Sequence, residues 1–279
     1  MVGLLILGVA LLWISYPAPL PYREPDAGKA DASGVFAMFY VKKLSSPYFQ
    51  GRAPGSIGGA RAAEYIAEQF QRLGLRPGGE GGTYYQTVTC KGFELVNQDK
   101  RWKPIVKGPG ILYADNVLGY IGNDGEKNVK RVIIVSAHYD HLGALGKGYF
   151  PGANDNASGV AVLMEVARLL RNMRLSPDNR IVFAAWTLEE EGMLGSAWYA
   201  DHCSLDKVSA VINLDALGNG SSREFLVWTH EVDSPLLNAL ADASKKMHIG
   251  LNIQKMPEPS PHSSDHLPFS RKGVSAVTI

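Results

Sequence analysis

The chain has 279 residues, a formal net charge of +1 and 46% hydrophobic residues. That length suits one large α/β domain, and the near-neutral charge excludes an electrostatic nucleic-acid or acidic-membrane binder. Cys90 and Cys203 lie far apart with no CxxC or Cys/His cluster, which excludes a zinc finger. In an oxidising compartment the two could pair; otherwise they are free buried thiols.

Residues 2–14 are apolar apart from glycine, and Pro17, Pro19 and Pro21 follow. The run is shorter than the roughly 20 residues of a membrane span. It reads as a secretory signal peptide or a membrane anchor, which places the protein outside the cytoplasm: secreted, periplasmic or anchored. A linker rich in Pro, Ala and Gly continues to residue 33. Val35 to Leu44 reads as a short amphipathic helix. Ala60, Ala63, Ile66, Phe70 and Leu73 recur at helical spacing, so Ser56 to Leu73 is predicted as a second helix, ended by Gly74 and Pro77. Tyr84 to Val96 and Asn116 to Ile121 read as strands.

Lys130-Arg-Val-Ile-Ile-Val135 is a β-branched run of the kind that makes a buried strand. It leads into Ser136-Ala-His-Tyr-Asp-His-Leu-Gly143. A helix over Ala157 to Leu170 and a strand over Ile181 to Trp186 come next. Thr187 to Gly192 is predicted to open a helix running through about Ala200. Ala210 to Leu214 and Phe225 to Trp228 are further strands, and Ser234 to Met247 a helix. Ile253 to Pro261 reads as irregular, and Val274 to Ile279 as a last short strand. This alternation points to an α/β fold with a mostly parallel central sheet.

Five polar features fall at strand ends or in loops: His138 with Asp140, Asp155, Glu189 with Glu190, Asp215, and His266. Each has an ordinary reading. A lone histidine near a strand is usually hydrogen-bonded structure. Asp155 could cap the following helix. Glu189 to Glu191 could sit at a helix N-terminus, and Asp215 could be a turn residue. Their joint occurrence in one α/β chain outweighs those readings, because open sheets bind ligands beyond the carboxyl ends of their strands. Histidine with carboxylate suits a divalent metal, zinc above all. Two zinc ions about 3.5–4 Å apart need a bridging carboxylate and ligands from several strands. Adjacent Glu189 and Glu190 divide two jobs, proton transfer and metal binding. Asp140, two residues after His138, is placed to orient that imidazole.

His138 to Gly143, Gly152-Ala-Asn-Asp-Asn-Ala-Ser-Gly159, Leu188 to Ser196, Asn213-Leu-Asp-Ala-Leu-Gly218 and Ser264-Asp-His-Leu-Pro-Phe269 resemble the metal-site motifs of the cocatalytic (two-zinc) aminopeptidase family of bacterial leucyl aminopeptidase and aminopeptidase Y. Gly51-Arg-Ala-Pro-Gly-Ser56 resembles its N-terminal part. The resemblance implies a three-layer α/β/α fold with a mixed, mostly parallel sheet, of the zinc-exopeptidase kind. It implies two Zn2+ per chain: His138 and Asp215 on one, Glu190 and His266 on the other, Asp155 bridging. It also implies Glu189 as general base and acid, a cis peptide at Asp155–Asn156, and a peptide substrate cut at its N-terminal bond. Family members continue beyond Val274 to Ile279, so the expected catalytic domain, 34–279, is incomplete at its C-terminus. Val96 to Leu112 is too short for the inserted domain of larger members. Carboxypeptidases and dipeptidases share the two-zinc core and remain alternatives. A one-zinc glutaminyl-cyclase-like acyltransferase and a non-catalytic receptor-like ectodomain fit the residues less well.

Overall fold

The computed structural model describes residues 34–279, apart from 99–100, 126–127, 172–174, 176–177, 221–222, 232, 258–259 and 261–262. The expected leader and linker, 1–33, lie outside the described residues. The elements run α1 (Gly34–Leu44), α2 (Ile57–Arg72), β1 (Arg76–Pro77), β2 (Tyr85–Gln98), β3 (Arg101–Gly122), β4 (Arg131–His138), β5 (Ala144–Leu145) and β6 (Gly148–Tyr149). They continue with α3 (Gly159–Leu170), β7 (Asn179–Trp186), α4 (Leu194–His202), β8 (Val208–Asn213), β9 (Glu224–Thr229), α5 (Pro235–Met247), β10 (Gly250–Lys255), α6 (Leu267–Ser270) and β11 (Ala276–Thr278). No helix among the described residues is long and apolar enough to cross a membrane.

The main sheet is ordered β1-β3-β7-β4-β8-β11-β9-β10, with β2 paired to β3. Its centre, β7-β4-β8-β11, is parallel. β3 joins β7 antiparallel, and β9 joins β11 antiparallel. Strand periodicity explains the layers. Ile133, Val135, Ile181, Phe183, Ala210 and Ile212 pack on one face, against α1, α2, α3 and α5. The intervening Ile134, Val182, Trp186 and Val211 pack on the other face, with Ala200 of α4 and Phe269 of α6. Side chains alternate along a strand, so an uninterrupted apolar run is stable only when both faces are covered. Each such side chain contributes roughly 1.5–3 kcal/mol when fully buried. The result is a three-layer α/β/α fold with a mixed sheet.

Helix ends follow local chemistry. Ser56 caps α2, its hydroxyl accepting from the Gly59 N–H at 3.1 Å. Beyond its other end Gly74 takes a φ of 74°, which glycine adopts without strain. Ser234 caps α5 in the same way, with Pro235 in the first turn.

Three expectations change. Asn116 to Ile121 is only the end of β3, which pairs with β2 from Arg101 onward as a long hairpin arm. The arm's outer face carries exposed Ile111 and Tyr113, which blurs the inside–outside alternation that marks a strand. Ile253 to Lys255, expected to open an irregular stretch, belong to a strand, Gly250–Lys255. It is a mostly exposed, polar edge strand, held by backbone pairing to β9, and such a strand has little apolar signature. Thr187 to Gly192 is a turn, and α4 starts only at Leu194. Both cysteines are free thiols, with Cys203 accepting from Gln86 Nε2 at 3.4 Å.

Candidate metal centre

Parallel register assembles the site. His138 ends β4 opposite Trp186, the last residue of β7, and Glu189 follows just beyond. Ser136 lies opposite Asn213, the last residue of β8, and Asp215 follows it. Asp155 comes from a turn, Ala153–Ser158, that leads into α3 and is non-helical at Asp155 and Asn156. The Asp155–Asn156 peptide is cis. Three strand ends and one crossover turn therefore deliver their polar residues to one crevice at the sheet's carboxyl edge.

The donors form two groups. His138, Asp155 and Asp215 each bring one ligand atom within 4.8 Å of the others, and so do His141, Asp155 and Glu190. Asp155 belongs to both. His138 Nε2 lies 3.2 Å from Asp155 Oδ1, 3.4 Å from Asp215 Oδ1 and 4.0 Å from Glu189 Oε2. His141 Nδ1 lies 2.5 Å from Glu190 Oε1. Imidazole nitrogen with carboxylate oxygen is the donor chemistry of zinc.

The electrostatics call for a cation. Burial disfavours a charged His138, but Glu189 and Asp215, with Asp140 and Asp155, outweigh it and raise its pKa well above the usual value. Burial lifts the Glu189 carboxyl far above its ordinary range, and Asp265, Asp215 and Asp140 add to that against His138. Burial also pushes Glu191 up to about 9, reinforced by Asp140 and Glu190. Asp155 is drawn down by His138, with help from His141 and Arg52, despite the opposing effect of burial. Carboxylates this crowded are held apart from protons only by positive charge, and divalent ions would supply it.

Asp140 does more than face His138. The closest approach, Oδ1 to Nδ1, is 3.7 Å, an ion-pair contact too long for a hydrogen bond. Its carboxylate instead accepts from the N–H groups of Glu189 at 3.2 Å and Glu190 at 3.3 Å. It thus fixes the backbone that carries both glutamates. Leu188, just before them, sits in the left-handed region with φ 61°, and Ala216, just after Asp215, has φ 55°. Such strain costs on the order of 1–3 kcal/mol per residue and clusters at functional sites.

The structure does not bring His266 into either group. Its Nδ1 pairs with Thr278 Oγ1 at 2.7 Å, and its buried Nε2 has no partner. The His230 ring stacks on it at 5.1 Å. Burial, with His230, pushes its pKa down to about 3. His141, which the sequence reading passed over, stands beside Glu190 instead. Its only sequence signal is its place in the same loop, three residues after His138.

Other residues that hold the site were also missed. Arg52 is fully buried and donates to the carbonyls of Tyr139, Leu44, Pro151 and Gly152 at 2.7–2.8 Å. Asn156 donates to Leu214 O and accepts from the N–H groups of Gly159 and Ala216, which ties the Asp155 turn to the end of β8. Ser264 donates to Asp215 Oδ2 at 2.7 Å and accepts from Asn213 Nδ2. Single Asn, Ser or Arg residues in loops carry no periodic signal, so a sequence gives them no prominence.

Comparison with known proteins agrees with this geometry. The sequence profile of peptidase family M28 matches residues 116–279, more than half of the chain. Aminopeptidase YwaD of Bacillus subtilis (strain 168) is 27% identical over 272 residues, 95% of this chain and 56% of its own length. Leucine aminopeptidase 2 of Trichophyton rubrum is 33% identical over 248 residues, 81% of this chain and 47% of its own. The chain thus spans about half the length of these curated relatives. Among solved structures, an aminopeptidase from Aneurinibacillus sp. strain AM-1 superposes with a TM-score of 0.69 at 18% identity, over 90% of this chain and 85% of that one. A zinc aminopeptidase from Bacillus subtilis, BSAP, gives 0.67 at 18% identity over the same shares. A Porphyromonas gingivalis glutaminyl cyclase gives 0.60 at 18% identity, covering 90% of this chain and 84% of that one. At these identities the structural likeness speaks for the fold.

Proposed function

The chain belongs to peptidase family M28, and we propose that it is a two-zinc aminopeptidase that removes the N-terminal residue of peptides. The observation that carries this reading is the pair of donor groups sharing Asp155, with Glu189 directly beside them. His138, Asp155 and Asp215 would hold one ion. Asp155 and Glu190 would hold the other together with His141, and His266, whose buried Nε2 has no partner, is the further ligand that the family resemblance implies. Zinc bound there lowers the pKa of its water toward about 7.

The chain's own residues do the rest. Glu189 takes a proton from the attacking water and delivers it to the leaving amine. Its burial among carboxylates raises its proton affinity, which favours taking the proton from water. Asp140 keeps Glu189 and Glu190 aimed by accepting from their amides. His138 stays in place within a fully buried strand end. Asp155 is half exposed, so the crevice stays open to a peptide from outside.

A one-zinc acyltransferase on this fold would have no use for the group formed by His138, Asp155 and Asp215. Carboxypeptidase action on the same core is the remaining rival. The test is hydrolysis of a leucyl peptide with a free amino terminus against its N-acetylated twin, with zinc added and Glu189→Gln as control. Cleavage of the free form alone, lost in the control, is expected. Equal cleavage of both forms would overturn the aminopeptidase assignment. Two zinc ions per chain are expected, and one would favour the acyltransferase.

A further inference from the structure

Helix α1 is apolar on both sides. Its inner side, with Ala37, Tyr40, Val41 and Leu44, packs into the core. Its outer side carries Phe36, Met38 and Phe39, each half exposed or more, followed by exposed Lys42 and Lys43. The helix holds no acidic residue. A surface helix ordinarily turns a polar face to water, so an apolar outer face marks a surface made to meet something apolar.

The patch continues beyond the helix. Phe36, Phe39 and Lys43 follow at three- and four-residue spacing and share one stripe. The Lys43 ammonium lies 5.8 Å from the centroid of the exposed Tyr48 ring, and the Arg61 guanidinium of α2 lies 4.4 Å from it. Ile57, one turn before Arg61, is exposed as well. At the other end the Arg168 guanidinium of α3 stands 5.4 Å over the Phe36 ring. Aromatic rings edged by Lys and Arg are the composition of segments that lie in a membrane interface. The rings reach the acyl boundary there, and the cations stay among the headgroups.

Between α1 and α2 a groove of about 370 Å³ is lined by Phe39, Lys43 and Tyr48 with Arg61, Glu64 and Arg72. Both signs of charge meet in it, which complements a zwitterionic headgroup, a phosphate joined to an ammonium. Two further observations favour a bilayer. α1 follows directly on residues 1–33, whose apolar run at 2–14 reads as a leader or anchor, so the face begins where a membrane-directed segment ends. A second copy meeting this face about a two-fold axis would set Lys42 and Lys43 against the same lysines.

We propose that the outer face of α1, with Tyr48 and Ile57, rests on the surface of a zwitterionic lipid bilayer. Phe36, Met38 and Phe39 enter the acyl boundary. Lys43 and Arg61 meet headgroup phosphates, and Glu64 meets the ammonium. A net charge of +1 gives the chain little long-range attraction to an acidic surface, so the contact depends on apolar burial and needs no acidic lipid.

The test is flotation of the full chain with phosphatidylcholine vesicles, with and without added phosphatidylglycerol, in variants matched for circular dichroism and zinc content. The unaltered chain is expected to float with the neutral vesicles. The double variant Phe36→Ser/Phe39→Ser should weaken that partitioning about tenfold or more. Phe36→Trp/Phe39→Trp should keep or strengthen it, because tryptophan favours the interface. Ile111→Ser/Tyr113→Ser, on the exposed face of the β2–β3 arm, should leave it unchanged. Phospholipid with brominated acyl chains should quench the tryptophan added in Phe39→Trp more than those of the unaltered chain. Partitioning that survives the serine pair would assign binding to the leader alone and overturn the docking face. Absence of partitioning, a requirement for phosphatidylglycerol, or no extra quenching in Phe39→Trp would overturn it too. So would a solution dimer that the serine pair dissociates, since a second copy would then be the occupant.

Discussion

Replacing Arg52 by methionine keeps most of the side-chain volume and removes every donor. Arg52 gives hydrogen bonds to Tyr139 O at 2.7 Å, Leu44 O at 2.7 Å, Pro151 O at 2.8 Å and Gly152 O at 2.8 Å. Gly152 O also accepts from the Ala157 N–H at 3.0 Å and keeps a partner. All four carbonyls lose the guanidinium bond and three are left without it or another donor, at about 1–3 kcal/mol each. Against this, the variant no longer buries a cation, whose desolvation costs several kcal/mol; burial lowers the Arg52 pKa to about 10 even with Asp140, Asp155 and Glu190 nearby. The net loss is expected near 4 kcal/mol, similar to breaking a buried ion pair. At about 2–4 °C per kcal/mol for a chain of this size, Tm should fall by roughly 8–16 °C. The loop from Tyr139 to Gly152 carries His141 and leads to Asp155, so zinc affinity should fall at least about tenfold. Arg52→Lys should recover only part of both losses, because one ammonium cannot reproduce the planar fork that spans four carbonyls. Circular dichroism in chelator reads the stability, and competition with a chromophoric chelator reads the affinity. A methionine variant within about 1 kcal/mol of the unaltered chain, with the same zinc affinity, would refute the reasoning.

Three other predictions test the site. His141→Ala and His266→Ala should each reduce bound zinc from about two per chain to about one; a variant that keeps both ions in metal analysis would remove that histidine from the ligand set. Asp140→Asn should lower kcat by about 10–100-fold with little change in KM, since a neutral amide accepts the Glu189 and Glu190 amides more weakly; an unchanged kcat would remove Asp140 from the positioning of the glutamates. The third concerns pH in metal-free protein. The fold lowers the His266 pKa to about 3, so the unfolded chain binds the extra proton first as pH falls. Stability is therefore complete above the unfolded value near 6.5 and is lost between there and about pH 3, by at most about 5 kcal/mol. His266→Gln should flatten that acid limb in urea titrations at stepped pH, and an unaltered limb would show that other groups cause it.

Much of this protein was determined by sequence alone. Unbroken β-branched runs such as Ile133 to Val135 demand cover on both faces, which implies a sheet between helix layers. Polar residues directly after those runs must lie at strand ends, so His138, Glu189, Glu190 and Asp215 were legible as one constellation, joined by Asp155 and His266 from loops. The helices starting near Ser56 and Ser234 were legible from their apolar spacing, and the structure shows both serines capping them. The β2–β3 arm and β10 were not, because exposed strands are held by backbone pairing that leaves little side-chain pattern. Only the tertiary structure placed His141 beside Glu190. It alone gave Asp140 the amides of Glu189 and Glu190 and set Arg52 behind the Tyr139–Gly152 loop. Those pairings join residues distant in sequence through loop paths and strand register, and residue type and spacing do not encode how far a loop folds back on its sheet.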